Sequence, residues 1–111
     1  FAANYKLDNL VAIVDCNGLQ YDGTTMEIAG LDNLSEKFGA FGWKVKEVDG
    51  HNVSEIIQGF RENRDGKPLA IIANTIKGKG VAFMEGNPLW HHSELDEQSY
   101  KQAVSEVQGK E

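Results

Sequence analysis

Apolar residues concentrate in two short unbroken runs, Leu10 to Val14 (LVAIV) and Leu69 to Ala73 (LAIIA). The polar stretch KLDN precedes the first, and Asp65, Gly66, Lys67 and Pro68 precede the second. Runs of this kind suit strands covered on both faces of a parallel sheet. A third stretch, Trp43 to Val48 (WKVKEV), partly alternates apolar and charged positions and predicts a strand with one wetter side. Two helical patterns lie between these runs. Leu31, Leu34, Phe38 and Phe41 recur at helical spacing, with Gly39 and Gly42 loosening the end. Val53, Ile56, Ile57 and Phe60 form a cleaner stripe, and Asn52 followed three residues on by Glu55 is a start signal for that helix. A polar-amphipathic segment from about Asp96 to Gln108 predicts a last helix. The resulting order is strand, long loop, helix, strand, helix, strand, glycine-rich loop, helix. It predicts one layered α/β domain over residues 1–111, with a mainly parallel sheet and right-handed crossovers. Ligands of such sheets bind at the carboxyl ends of strands. Attention therefore falls on the loops from Asp15 to Thr25 and from Lys77 to Ser93.

Composition narrows the classes of function. At 41% hydrophobic and 25% charged residues, the 111-residue chain is neither disordered nor low in complexity. Eleven Lys and Arg against 17 Asp and Glu give a net charge of −6, without the broad positive field of a nonspecific nucleic-acid binder. A small basic site for a phosphorylated ligand is compatible with that balance. Apolar runs are far too short to span a membrane, and no signal segment opens the chain. The single cysteine, Cys16, excludes an internal disulfide and points to a reducing compartment, with the thiol itself read as a small buried hydrophobe. The chain does not begin with Met, so Phe1 is expected to be an internal point of a longer reading frame or a processed end.

The first loop reads Asp15-Cys16-Asn17-Gly18-Leu19-Gln20-Tyr21-Asp22-Gly23. Its Asn-Gly and Asp-Gly pairs are turn formers, which alone would make it an ordinary connection. The same residues also suit a hard cation: the Asn17 amide oxygen and a backbone carbonyl two residues later are oxygen donors for Mg²⁺ or Ca²⁺. The second loop carries Thr75-Ile76-Lys77-Gly78-Lys79-Gly80 and later Asn87-Pro88-Leu89-Trp90-His91-His92. KGKG has neither Walker nor dinucleotide-fingerprint spacing. It reads either as a basic surface turn, or as a loop whose glycines let the backbone approach a phosphate while Lys77 supplies a point charge. In an extended backbone His91 and His92 would point to opposite sides, which argues against joint metal binding. His51 is read as a loop residue ahead of the second helix.

The run YKLDNLVAIVDCNGLQYDG, followed in order by FGAFGWKVKEVDGHN, TIKGKG and NPLWH, resembles the diphosphate-binding domain of the transketolase family. The similarity extends through about His92 and is greatest to the short, split bacterial or archaeal type, whose amino-terminal half is a separate subunit. It implies a three-layer α/β/α thiamine diphosphate-binding fold, incomplete in this chain, with residues 1–111 forming the C-terminal portion of that domain. It also implies a cytoplasmic enzyme that transfers a two-carbon ketol unit between ketose and aldose phosphates. The implied cofactors are thiamine diphosphate and Mg²⁺ or Ca²⁺. The implied partner is a pyrimidine-binding domain or subunit in a homo- or hetero-oligomer. Carried over from the family pattern, Asn17 and the Leu19 carbonyl become metal ligands, Lys77 a cofactor contact, and His91 both a cofactor contact and the catalytic histidine. The family's Gly-Asp-Gly segment, its earlier sugar-phosphate histidines and the glutamate of its pyrimidine domain have no counterpart in these 111 residues. A non-catalytic α/β module that does not bind cofactor alone is therefore the competing expectation.

Overall fold

A computed structural model describes residues 1–20, 23, 24, 26, 30 and 33–109. Strand β1 is Val11–Cys16, β2 Leu19–Gln20 and β3 Gly23–Thr24; helix α1 is Leu34–Ala40; β4 is Lys44–Asp49; α2 is Val53–Phe60; β5 is Leu69–Asn74; a 3-10 turn covers Pro88–His91; and α3 is Glu97–Gln108. The expected order holds, with the small antiparallel pair β2–β3 added inside the first loop. Leu31 of the first helical stripe and Tyr21, Asp22 and Thr25 of the first loop lie outside the described residues.

The chain forms two compact units, Phe1–Cys16 with Leu31–Thr75, and Asn17–Gly30 with Ile76–Glu111. The first holds a three-stranded parallel sheet in the order β1, β5, β4. Val11 and Lys44 both pair with Leu69, and the ladders run level to Asn74, opposite Cys16 and Asp49. LAIIA is the central strand. Leu69 is fully buried, Ile71 is 1% exposed, and Val48 and Ala73 join them in the core, with Val11 and Ile56 packed alongside. Among the described residues LVAIV lies at the sheet edge. Its Ile13 is 58% exposed, so the expectation of cover on both faces holds for β5 and not for β1.

Helices α1 and α2 both pack on β4 and β5. Asn52 caps α2 as its position predicts: its Oδ1 accepts the Ser54 and Glu55 N–H groups at 3.1 and 3.2 Å. Glu55 reaches back, accepting from the Asn52 side-chain amide at 3.0 Å and from the Asp49 N–H at 2.9 Å. The apolar stripe of α2 is only partly used. Ile56 meets the core, whereas Val53 is 69% exposed and Ile57 and Phe60 are also exposed. Lys44 and Lys46 on β4 lie 3.8 and 3.5 Å from Glu62, just past α2, and make the wetter side that the alternation predicts. Gly50 is held to the end of β5 by its N–H on the Asn74 carbonyl at 2.8 Å, where a Cβ would overlap Thr75.

Candidate functional site

The two loops singled out by topology leave neighbouring strand ends. The Thr75 N–H donates to the Cys16 carbonyl at 3.3 Å, and the Thr75 hydroxyl donates to the Asp15 carboxylate. β1 and β5 are parallel, so both loops start at the same end of the sheet. Asn17, Leu19, Lys77 and His91 all belong to the second compact unit.

Asn17 is half-buried, and its Oδ1 accepts the Leu19 N–H at 2.9 Å. This is an Asx turn: the short amide side chain bonds the backbone two residues on and folds the strand end back. Gly18 between them has φ +69°, the left-handed conformation for which glycine is suited. The turn fixes the Asn17 amide oxygen against Leu19 and leaves it a second lone pair. Asn17 and Leu19 offer this loop's hard-cation oxygens. They carry no charge, and the described residues hold no cluster of three or more His, Cys, Asp or Glu suited to a metal. The donor chemistry thus fits two positions of an oxygen shell and leaves the carboxylate and phosphate positions to other groups.

The segment from Lys77 to Gly86 closes on itself. The Gly86 N–H donates to the Lys77 carbonyl at 2.9 Å, and the Lys79 and Val81 N–H groups donate to the Ile76 and Gly78 carbonyls. Gly78 has φ +72°, and a Cβ there would lie 2.6 Å from the Met84 carbonyl oxygen. The glycine at 78 therefore serves the loop's own closure. The backbone donors beyond it are also taken: the Gly80 N–H by the Glu85 carboxylate at 2.9 Å, and the Ala82 N–H by Glu106 of α3 at 2.6 Å. The Gly80 and Ala82 amides are thus bonded to the chain's own carboxylates. Lys79 lies 3.8 Å from Glu85, while Lys77 is half-buried and has no ion-pair partner among the described residues.

His91 ends the 3-10 turn and is exposed, and β2 lies against that turn. The backbone is helical through His91 and extended only at His92, so the two histidines do not sit on one extended strand. Asn87 caps the turn through its Oδ1 on the Leu89 N–H at 3.0 Å, Pro88 follows it, and Trp90 packs on Phe83 with ring centroids 5.2 Å apart. Asn87 followed by Pro88 is a helix-start signal that a reading for longer helices passes over. Glu85 and Glu106 have no comparable signal, because their role depends on loop closure. His51 is exposed in the turn before α2, its N–H on the Asp49 carboxylate, and Cys16 is a partly buried free thiol.

Residues 1–109 match the family described as "Transketolase, thiamine diphosphate binding domain". The chain is 47% identical over 105 residues to an apulose-4-phosphate transketolase subunit of Phocaeicola vulgatus, covering 93% of this chain and 37% of that protein. It is 44% identical over 110 residues to the 6-deoxy-6-sulfo-D-fructose transketolase subunit SqwG of a Clostridium species, covering 97% and 40%. The crystal structure of transketolase from Campylobacter jejuni superposes with a TM-score of 0.85 at 31% identity, over 96% of this chain and 17% of that one. The chain thus spans about two-fifths of the length of these subunit relatives. The motifs after β1 and β5, the parallel sheet and these matches agree, and the chain belongs to the transketolase thiamine diphosphate-binding domain family.

Proposed function

We propose that this chain forms the later part of the diphosphate-binding domain of a transketolase, moving a two-carbon ketol unit from a ketose phosphate to an aldose phosphate. The observation that carries the reading is the Asn17 turn. Its amide oxygen is fixed on the Leu19 N–H at 2.9 Å directly behind β1, in a chain of a thiamine diphosphate-binding family. In this reading Asn17 Oδ1 and the Leu19 carbonyl oxygen ligate Mg²⁺ or Ca²⁺, which suits neutral oxygen donors. The Lys77 ammonium offsets diphosphate charge, since Lys79 already has Glu85. The exposed His91 imidazole hydrogen-bonds cofactor or sugar oxygens, or moves a proton at them. When bound, thiamine diphosphate supplies the electron sink for carbon–carbon cleavage. The metal carboxylate comes from the Gly-Asp-Gly segment of the family pattern, and the pyrimidine from a partner domain or subunit. Relatives that are themselves named as transketolase subunits support an oligomer with such a partner. A single free cysteine supports a cytoplasmic setting.

Calorimetric titration with thiamine diphosphate at limiting Mg²⁺, with and without a pyrimidine-binding chain, tests the reading. Asn17→Ala is expected to weaken metal-dependent binding. Lys77→Ala is expected to weaken it about ten- to a hundredfold, the size of a charge-assisted contact. His91→Ala is expected to lose turnover or sugar affinity with the fold retained. Unchanged affinity of Asn17→Ala at limiting metal refutes the ligand assignment. No binding even in an assembly that supplies both the Gly-Asp-Gly segment and the pyrimidine-binding chain leaves the non-catalytic module.

A further inference from the structure

We propose that Glu85 is a built-in anion that decides which lysine of the TIKGKG loop meets an external phosphate. The inference rests on the reading of Lys77 as the diphosphate contact. Lys77 and Lys79 stand two residues apart in one loop, flanked by glycines, so residue type and spacing alone do not separate them and only the family resemblance singles out Lys77. The structure separates them. Glu85 Oε1 accepts the Gly80 N–H at 2.9 Å and lies 3.8 Å from the Lys79 ammonium, so one carboxylate claims a backbone donor and a cation together. Glu106 claims the next alternate donor, the Ala82 N–H, and its other oxygen accepts from the Gln102 amide at 2.8 Å. The far side of the loop therefore already carries the negative charge that a phosphate would bring. A second anion approaching Lys79 meets Glu85, and this repulsion works as a specificity element as much as any attraction at Lys77. Lys77 sits where the loop closes, its carbonyl bonded to the Gly86 N–H, with no described carboxylate paired to its side chain. Glu85 is thus a positioning residue: it touches no ligand, and it fixes where the ligand's charge is received.

The test uses the full chain labelled with ¹⁵N, inorganic pyrophosphate as the probe, and nuclear magnetic resonance of the backbone amides and lysine ammonium groups at low salt. In the parent chain pyrophosphate should move Lys77 and leave Lys79 and Gly80 still. Glu85→Gln keeps an oxygen for the Gly80 N–H and removes the charge. Lys79 should then respond, and affinity should rise about two- to fivefold, the scale of one exposed charge pair. Adding Lys79→Ala to Glu85→Gln should return affinity to the parent value. Hydrogen exchange at the Gly80 amide reads the brace without any ligand: slow in the parent chain and in Glu85→Gln, fast in Glu85→Ala. Lys79 moving as strongly as Lys77 in the parent chain overturns the proposal and leaves the Lys77 contact standing. So does a Gly80 amide whose exchange ignores Glu85→Ala. Pyrophosphate moving neither lysine in any variant overturns the Lys77 contact, and with it the choice between the two.

Discussion

Replacing Gly78 with alanine isolates the closure of the loop from Lys77 to Gly86. The backbone at Gly78 has φ +72°, and holding a residue with a Cβ in that region costs roughly 1–2 kcal/mol. The new Cβ would also stand 2.6 Å from the Met84 Cβ and carbonyl oxygen, against the roughly 3.5–4.0 Å of ordinary carbon contact. Pushing those atoms back falls in the range of overpacking, about 1–3 kcal/mol. Together the expected loss is about 2–5 kcal/mol, a large share of a small domain's stability. Gly86 is the internal control. Its φ is +65°, but a Cβ there meets nothing within 4 Å, so Gly86→Ala should cost only the backbone part, about 1–2 kcal/mol. Urea unfolding followed by Trp90 fluorescence measures both, because Trp90 packs on Phe83 beside the same loop. A Trp43→Phe background removes the other tryptophan, which sits against Phe38 in the sheet unit. Equal losses in Gly78→Ala and Gly86→Ala would show that Met84 yields freely and that the close approach does not define the loop.

Other expectations concern the frame. Ile71→Ala, in the buried centre of β5, should cost about 2–5 kcal/mol by denaturant unfolding; a loss below about 1 kcal/mol would mean that β5 is not the packing centre. The Ser99 N–H, 2.7 Å from Asp96, holds that carboxyl below the usual carboxylate range. A lowered value means that the cap's contribution is full above the unfolded aspartate value of about 3.9 and is lost as pH falls through the lower folded value. Circular dichroism of α3 on acidification should therefore show a transition that Asp96→Asn, which caps without titrating, lacks. The same acid sensitivity in both chains would refute that source.

The sequence made legible what depends on neighbours along the chain. The Asn52 cap, the last helix from about Asp96 and the apolar run of β5 are local signals, and each stands where the residues put it. β1 runs on to Cys16 because Asp15 and Cys16 extend the ladder with Ala73 and Asn74, and polar side chains do not stop strand pairing. The exposed side of Ile13 was not legible, since an apolar run records a preference for cover and not which element provides it. The Asx turn at Asn17, with its Oδ1 on the Leu19 N–H, follows from Asn-Gly chemistry. The pairing of Glu85 with Lys79 and Gly80 was hidden: five or six residues of loop separate the partners, and no periodicity encodes the fold that brings them together.

The flush ending of the sheet has an evolutionary consequence. Each of its strands runs six residues, and Cys16, Asp49 and Asn74 stand abreast as the final rungs. Chain added or deleted beyond those rungs shifts no pairing within them. Related proteins can therefore vary these downstream connections while inheriting an unaltered scaffold. Grafting experiments between relatives would have natural splice points just after residues 16 and 75.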